Sequence, residues 1–228
     1  MEPKTEPRPS QKSTRKILIV DDHAVFRDGL QRLISLEKDL EVCAQAADGN
    51  EALEKAAQHH PDLTIIDVVM EGMGGIDLTK ALRSRFPKMK LLVLSMHKDI
   101  LYAERALRAG ANGYIMKREN GETLMAAIRS VLNGQTYVSQ EFNAHLLSRM
   151  SGSKGDASVP ATERLTDREM EIFRLIGQGY GTKQIADELH LSMKTVIFHR
   201  TNIRTKLNMK STFELVQFAI HHDETNPT

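Results

Sequence analysis

The stretch TIIDVVMEGMGG, residues 64–75, decides the fold of the first half of this chain. It ends an apolar run on one carboxylate, Asp67, and follows that carboxylate with a glycine-rich turn. A carboxylate leaving a buried strand is costly unless it is solvated, paired, metal-bound or reactive. Asp67 is therefore either the plain approach to a helix or part of a functional site, and the surrounding sequence decides between the two.

Four more short aliphatic runs accompany this one, and helical patterns fill the gaps between them. The runs are KILIV before Asp21, LEVCAQA, KLLVL before Ser95 and GYIM before Lys117. Such alternation is typical of a parallel sheet with helices on both faces. We therefore predict a doubly wound α/β domain over residues 16–135, preceded by a disordered tail over residues 1–15.

Polar side chains stand at the carboxyl ends of four of these predicted strands. Ligands of such sheets bind at that edge, so the side chains are expected to converge. Two carboxylates 4 Å apart repel by roughly 4 kcal/mol at an effective dielectric of about 20, so an acidic cluster calls for a cation. An all-oxygen site suits Mg²⁺. The implied chemistry is phosphoryl transfer to Asp67, and the converging residues are Asp21, Asp22, Asp67, Ser95 and Lys117.

Other interpretations of these residues exist. Asp22 could cap the helix that begins near His23, and Lys117 could be a solvated strand end. A flavin-binding protein on the same sheet would need a glycine-rich or hydroxyl-rich loop where Asp21 and Asp22 stand. A phosphatase with an aspartyl intermediate would normally carry a second Asp at the position of Val69.

The same residues resemble the receiver domain of two-component response regulators. The resemblance lies in DDH at 21–23, Asp67 with its GMGG turn, Ser95, and GYIMK at 113–117. It implies the flavodoxin-like strand order 2-1-3-4-5 and a sensor histidine kinase as partner. The sequence departs from the family at Glu71, where Pro is usual. The resemblance further implies these roles: Mg²⁺ ligands Asp21, Asp22 and Asp67, phospho-acceptor Asp67, switch residues Ser95 and Tyr114, and phosphate-sensing Lys117.

The second half of the chain is predicted to be a small helical domain. The polar segment within residues 136–164 has no apolar periodicity and is predicted to be a linker. A capping box, Thr166 with Glu169, opens the domain, and Ser192 caps its third helix. The helix spacing is that of a helix-turn-helix motif. We predict an all-α four-helix domain over 165–222 and a tail over 223–228.

The third helix has an apolar inner face and a basic character. Ile203 and Leu207 each lie within about 20° of Val196 on the helical wheel. Five basic residues and no acidic one lie between residues 192 and 210. A basic helix can be merely a solvated face. However, residues 165–207 resemble the DNA-binding domain of the LuxR/FixJ type, with Ile197 where Lys is often found. The DNA contacts expected are Lys183, Ser192, Lys194, Thr195, Ile197, Phe198, Arg200, Thr201, Arg204 and Lys206.

The last predicted helix carries apolar residues on more than one face. A helix that needs burial on two sides needs a second partner, which we predict to be the same helix of another subunit. The residues expected at that contact are Phe213, Val216 and Ile220. The alternative is that the small domain buries the whole helix by itself.

Composition sets the outer limits. The 228 residues predict two domains rather than one large one, and a net charge of +1 leaves room for a local basic patch. The single Cys43 cannot form an internal disulfide, and no apolar run approaches the roughly 18 residues that span a bilayer. We predict a cytoplasmic, phosphorylation-dependent DNA-binding transcriptional regulator that dimerises and catalyses only its own aspartyl phosphorylation and dephosphorylation. The rival is an adaptor whose helical domain binds protein.

Overall fold

The structure is a computed structural model that describes residues 14–70, 72–96, 100–139, 142, 161–189 and 191–225. Glu71 and most of the predicted N-terminal tail and linker lie outside the described residues. Within them, an α/β domain is followed by a helical domain. No helix of the described part of the chain is long and apolar enough to cross a membrane.

The N-terminal domain contains a five-stranded parallel sheet in the order β2-β1-β3-β4-β5, which confirms the predicted topology. Its central strands are mostly aliphatic because both faces of the sheet are covered by helices. The strands are β1 (Arg15–Val20), β2 (Leu40–Ala46), β3 (Leu63–Asp67), β4 (Lys90–Ser95) and β5 (Gly113–Met116).

Five helices cover the two faces of this sheet. Side-chain caps start two of them, because Asp48 accepts hydrogen bonds from the backbone of Asn50 and Glu51, and Asn120 accepts one from Thr123. The helices are α1 (Ala24–Ser35), α2 (Gly49–His59), α3 (Gly75–Arg85), α4 (Ile100–Arg108) and α5 (Gly121–Leu132).

Strand register aligns the carboxyl ends of the central strands. Val20 pairs with Ile66, Asp67 with Leu94, and Ser95 with Met116. The residues that follow these pairs therefore emerge at one edge of the sheet. This alignment is the reason why side chains from distant parts of the sequence share one pocket.

The chain continues along β5 past the predicted boundary at residue 135. The backbone of Tyr137 accepts a hydrogen bond from Tyr114 at 2.8 Å and donates one to Asn112 at 3.1 Å. Tyr137 thus extends the edge of the sheet by one bridge with Gly113. The first residues of the predicted linker are in this way hydrogen-bonded to the N-terminal domain.

The helical domain has the predicted four helices. A 3-10 turn (Ala161–Arg164) precedes α6 (Asp167–Gly177), α7 (Thr182–Glu188), α8 (Met193–Lys206) and α9 (Thr212–Thr225). The capping box of Thr166 and Glu169 is present, and the Ser192 side chain accepts from the backbone of Thr195 at the start of α8.

Helices α6 and α9 pack closely. A β-carbon at Gly177 would lie 2.6 Å from the carbonyl oxygen of Ala219, so only glycine permits this approach. The ring of His222 packs edge-on against Phe173 at 5.4 Å. This contact supports the last turns of α9, which runs to Thr225 rather than ending at residue 222.

The two domains meet at α4. The Arg105 guanidinium donates a hydrogen bond to the carbonyl oxygen of Leu165 at 2.7 Å. Tyr102 of α4 is fully buried and belongs to the same hydrophobic cluster as Leu165 and Met170. One surface of α4 is therefore covered by the beginning of the helical domain.

Candidate functional site

The predicted carboxylates and the lysine meet at the carboxyl edge of the sheet. Asp21 directly follows β1, Asp67 is the last residue of β3, and Lys117 directly follows β5. The backbone N–H of Lys117 donates to the carbonyl oxygen of Ser95 at 2.7 Å, which ties the end of β5 to the end of β4. The structure thus brings together the residues that the sequence pattern singled out.

Lys117 bridges two of the carboxylates. Its Nζ lies 2.6 Å from Oδ2 of Asp67 and 2.7 Å from Oδ2 of Asp21. The three side chains are at most 4% exposed, so water screens these charges little. One buried cation therefore holds two buried anions together.

The charges shift the protonation of both partners. Burial raises the pKa of Asp67 to about 7; Lys117 opposes this rise and Asp21 adds to it. Burial lowers the pKa of Lys117, but the charges of Asp67 and Asp21 outweigh burial and the net pKa of Lys117 is raised. Lys117 is consequently a stable ammonium group, whereas Asp67 titrates near neutral pH.

An aromatic ring also supports the lysine. The Nζ of Lys117 lies 4.7 Å from the ring centroid of Phe26 in α1, which is a cation–π distance. Phe26 is otherwise a partly buried residue packed against the hydrophobic core of the domain. Its contact with Lys117 depends on how α1 packs over the end of β5, which the apolar periodicity of the sequence does not reveal.

The donor set fits a divalent cation. One ligand atom from each of Asp21, Asp22, His23 and Asp67 lies within 4.8 Å of all the others. The Asp22 side chain is 29% exposed, which leaves access for hydrated ions. Buried carboxylate oxygens with water access are what Mg²⁺ requires.

Asp22 does not cap α1. The N-cap position is occupied by His23, and its side chain makes no capping hydrogen bond. Instead, His23 Nδ1 lies 2.7 Å from Asp22 Oδ1 and 3.2 Å from Asp21 Oδ1. The sequence analysis did not anticipate this contact between the imidazole and the acidic pair.

The glycine-rich turn holds the Asp67 backbone in place. Gly75 donates its N–H to the carbonyl oxygen of Val68 at 2.8 Å. A β-carbon on Gly75 would lie 1.9 Å from the Asp67 carbonyl oxygen, which is far inside contact distance. The absence of a side chain at Gly75 thus lets α3 begin directly against the candidate acceptor.

The two predicted switch residues are buried near this edge. Ser95 ends β4 and is 1% exposed. Tyr114 in β5 pairs with Val93 and is 6% exposed. It belongs to the same hydrophobic cluster as Tyr102 and Ala106 of α4. The Tyr114 ring is therefore buried against α4 in this structure.

Helix α8 has the predicted inner and outer faces. Val196, Ile203 and Leu207 are buried. The outer face contains exposed charged, hydroxyl and apolar side chains, and Arg200 and Arg204 line a groove of about 230 Å³ between α8 and the start of α9. The exposed residues predicted to contact DNA are Lys183, Ser192, Lys194, Ile197, Phe198 and Thr201, whereas Thr195, Arg200 and Arg204 are partly buried.

Lys206 does not belong to that outer face. Its Nζ lies 2.6 Å from Oε2 of Glu169, which is 3% exposed and also accepts from the Thr166 backbone in the capping box. Lys206 therefore neutralises a buried carboxylate and links α8 to α6. The sequence count of basic residues could not distinguish this lysine from the outward ones.

Helix α9 has two different faces. Leu215 and Ala219 are buried against the domain, whereas Phe213 is 68% and Ile220 39% exposed. Val216 is partly buried between them. The second apolar face thus remains uncovered within the described chain, as the sequence analysis expected.

These two sites define a receiver joined to a DNA-binding domain. Residues 17–129 match the family model of the response regulator receiver domain, and residues 163–219 match that of bacterial regulatory proteins of the LuxR family. The chain belongs to the two-component response regulators with a LuxR-type helix-turn-helix domain. It is a phosphorylation-dependent transcription regulator, not a metabolic enzyme.

Similar proteins cover between 61% and 91% of this chain. The chain is 42% identical over 209 residues to the oxygen regulatory protein NreC of Staphylococcus haemolyticus (strain JCSC1435), covering 90% of this chain and 96% of that protein. A LuxR-family two-component response regulator from Aurantimonas sp. SI85-9A1 is 32% identical, with a TM-score of 0.58 over 61% of this chain and 100% of that one. RcsB of Salmonella enterica serovar Typhimurium shares the fold at 22% identity, with a TM-score of 0.56 over 91% of this chain and 98% of that one.

Proposed function

We propose that Asp67 accepts a phosphoryl group from a sensor histidine kinase and that this modification promotes dimerisation and operator binding through α8. The observation that carries the proposal is the buried arrangement of Lys117 between Asp67 and Asp21. A lysine held at the carboxylate that is to be modified supplies positive charge for incoming phosphate oxygens. The acidic pair beside it supplies the ligands for a metal ion.

The transfer itself needs an ionised acceptor. A carboxylate oxygen of Asp67 forms a bond to phosphorus while the bond from phosphorus to the donor nitrogen breaks, and the product is an acyl phosphate. Bound Mg²⁺, held by Asp21, Asp22 and Asp67, would supply charge that neutralises the transferred group. The charge of Lys117 opposes the rise that burial causes in the pKa of Asp67, and so favours the ionised carboxylate. In the same pocket a water molecule attacks phosphorus, the bond from phosphorus to the Asp67 oxygen breaks, and inorganic phosphate and the free carboxylate are released. The chain thus catalyses only its own phosphorylation and dephosphorylation.

The switch residues connect this pocket to α4. When the phosphoryl group arrives, Lys117 moves its contact from the carboxylate to a phosphate oxygen, and the Ser95 hydroxyl donates to another. Ser95 ends β4, and Tyr114 lies beside α4 residues in one cluster. Movement at the end of β4 therefore alters the packing of α4, against which the helical domain rests.

The helical domain binds double-stranded DNA in this proposal. Helix α8 enters the major groove, and exposed basic residues contact phosphates. The exposed apolar face of α9, with Phe213, Val216 and Ile220, meets the same face of a second subunit. A dimer of this kind binds the two half-sites of an operator. The protein acts in the cytoplasm.

Labelling by a small phosphodonor tests the acceptor. Asp67→Asn is expected to abolish incorporation of phosphate while leaving the circular dichroism spectrum unchanged. Asp77→Asn is the matched control, because Asp77 is an exposed acid in the first turn of α3. Persistent labelling of the Asp67→Asn protein would refute the proposal.

The relatives also suggest a stimulus. Several staphylococcal proteins that are 41% to 42% identical to this chain are named oxygen regulatory proteins. We propose that this chain likewise takes part in a response to oxygen. Transcripts of genes beside its bound sites should change between aerobic and anaerobic growth in the wild type and remain constant in the Asp67→Asn strain.

A further inference from the structure

The outer face of α8 exposes several large apolar side chains, which is unusual for a helix that binds DNA. Ile197 is 56% and Phe198 61% exposed, and Met193 at the beginning of the helix is 54% exposed. On the helical wheel, Ile197 and Phe198 flank the line of Lys194, Thr201 and Thr205. Large apolar side chains on an exposed face indicate a surface that is covered when a partner binds.

Two threonines make this face still more apolar. The Thr201 hydroxyl donates to the carbonyl oxygen of Ile197 at 2.9 Å, and the Thr205 hydroxyl donates to that of Thr201 at 3.0 Å. Because each hydroxyl proton is used within the helix, the donors are not available to a base edge. These two residues therefore offer a partner their methyl groups and a hydroxyl oxygen that can only accept.

The charges around this face select nucleic acid as the partner. Lys194 is exposed, Arg200 and Arg204 line the neighbouring groove, and no acidic residue lies between residues 192 and 210. A basic border around an apolar strip is complementary to a duplex, where phosphates flank the groove. A protein partner of this surface would need a matching acidic rim instead.

We propose that this helix reads thymine through its 5-methyl group, with Ile197 and Phe198 as specificity-determining residues. The inference rests on the proposed DNA-binding function and adds the class of sequence that is bound. In the major groove, thymine alone presents a methyl group, and apolar side chains are its natural contacts. The half-site is consequently expected to contain thymine–adenine pairs opposite Ile197 and Phe198.

Replacing thymine by uracil tests this inference directly, because the two bases differ only in the methyl group. A duplex is first selected from a random-sequence library with the full chain treated with a small phosphodonor. Dissociation constants are then measured for that duplex and for copies with single deoxyuridine substitutions. Each contacted methyl should matter by about fourfold, the equivalent of one buried carbon.

Variants assign the effect to residues. Ile197→Ser and Phe198→Ser should each abolish the uracil penalty at one or two positions. Leu36→Ser, which removes an exposed apolar side chain from the other domain, should retain every penalty. Circular dichroism shows whether each variant is folded, and if neither serine variant folds, the wild-type comparison of the two bases decides alone.

The outcomes separate this inference from the proposed function. Position-specific penalties that disappear in the serine variants support it. Tight, salt-dependent binding that is equal for thymine and uracil duplexes overturns it and leaves DNA binding intact. The absence of duplex binding even at low salt overturns the proposed function, and the inference with it.

Discussion

The ammonium group of Lys117 lies 2.6 Å from a carboxylate oxygen of Asp67, although the two residues are 50 positions apart in the chain. The parallel register of β3, β4 and β5 produces this contact by aligning the strand ends. The contact places a positive charge directly on the candidate acceptor. Any change at one residue is therefore expected to appear in the titration of the other.

Lys117→Gln is expected to raise the pKa of Asp67 above about 7, because the charge of Lys117 lowers that pKa in the intact pocket. The variant should also label more slowly with a small phosphodonor. The measurement is a ¹³C-carboxyl NMR titration without Mg²⁺. Lys80→Gln, which removes an exposed lysine paired with Asp77, is the control and should leave the titration unchanged.

Stability of the metal-free protein should depend on pH through Asp67. Its folded pKa of about 7 lies above the unfolded value of 3.8, so the folded state binds more protons between these limits. Unfolding free energy is therefore expected to fall as pH rises from about 4 to 7, by a few kcal/mol. Urea unfolding in a chelating buffer measures this. Asp67→Asn should flatten the slope, and an equal slope in both proteins would contradict the assignment.

Gly75→Ala is expected to displace the Asp67 backbone, because the added β-carbon would lie 1.9 Å from its carbonyl oxygen. The expected loss is about 1–3 kcal/mol of unfolding free energy, with slower labelling. Gly29→Ala provides the comparison, since no atom lies within 4 Å of that β-carbon and Gly29 is inside α1. That change should stabilise the chain by roughly 0.5–1 kcal/mol.

Lys206→Met should affect folding rather than DNA affinity. It leaves the buried Glu169 carboxylate without its ammonium partner, which is expected to cost about 1–3 kcal/mol. The salt dependence of binding should remain that of the wild type. Lys183→Met, at an exposed lysine of α7, should instead reduce the slope of log affinity against log salt by about 0.9. If Lys206→Met reduced the salt slope and Lys183→Met did not, Lys206 would be a DNA contact.

The position of a residue at a strand end could be predicted from the sequence because the geometry of a parallel sheet is fixed. This is why Asp21, Asp67, Ser95 and Lys117 were identified together. Contacts between helices were not predictable in the same way. The pairing of Lys206 with Glu169 and the approach of Phe26 to Lys117 depend on the angles at which helices pack.

The hydrogen bond from Arg105 to the Leu165 carbonyl oxygen connects α4 to the DNA-binding domain. If phosphorylation weakens this contact and thereby strengthens operator binding, thermodynamic reciprocity requires that operator binding also favour the phosphorylated state. Operator DNA is then an effector as well as a target. It should favour the phosphorylated state at equilibrium by the same factor by which phosphorylation tightens operator binding.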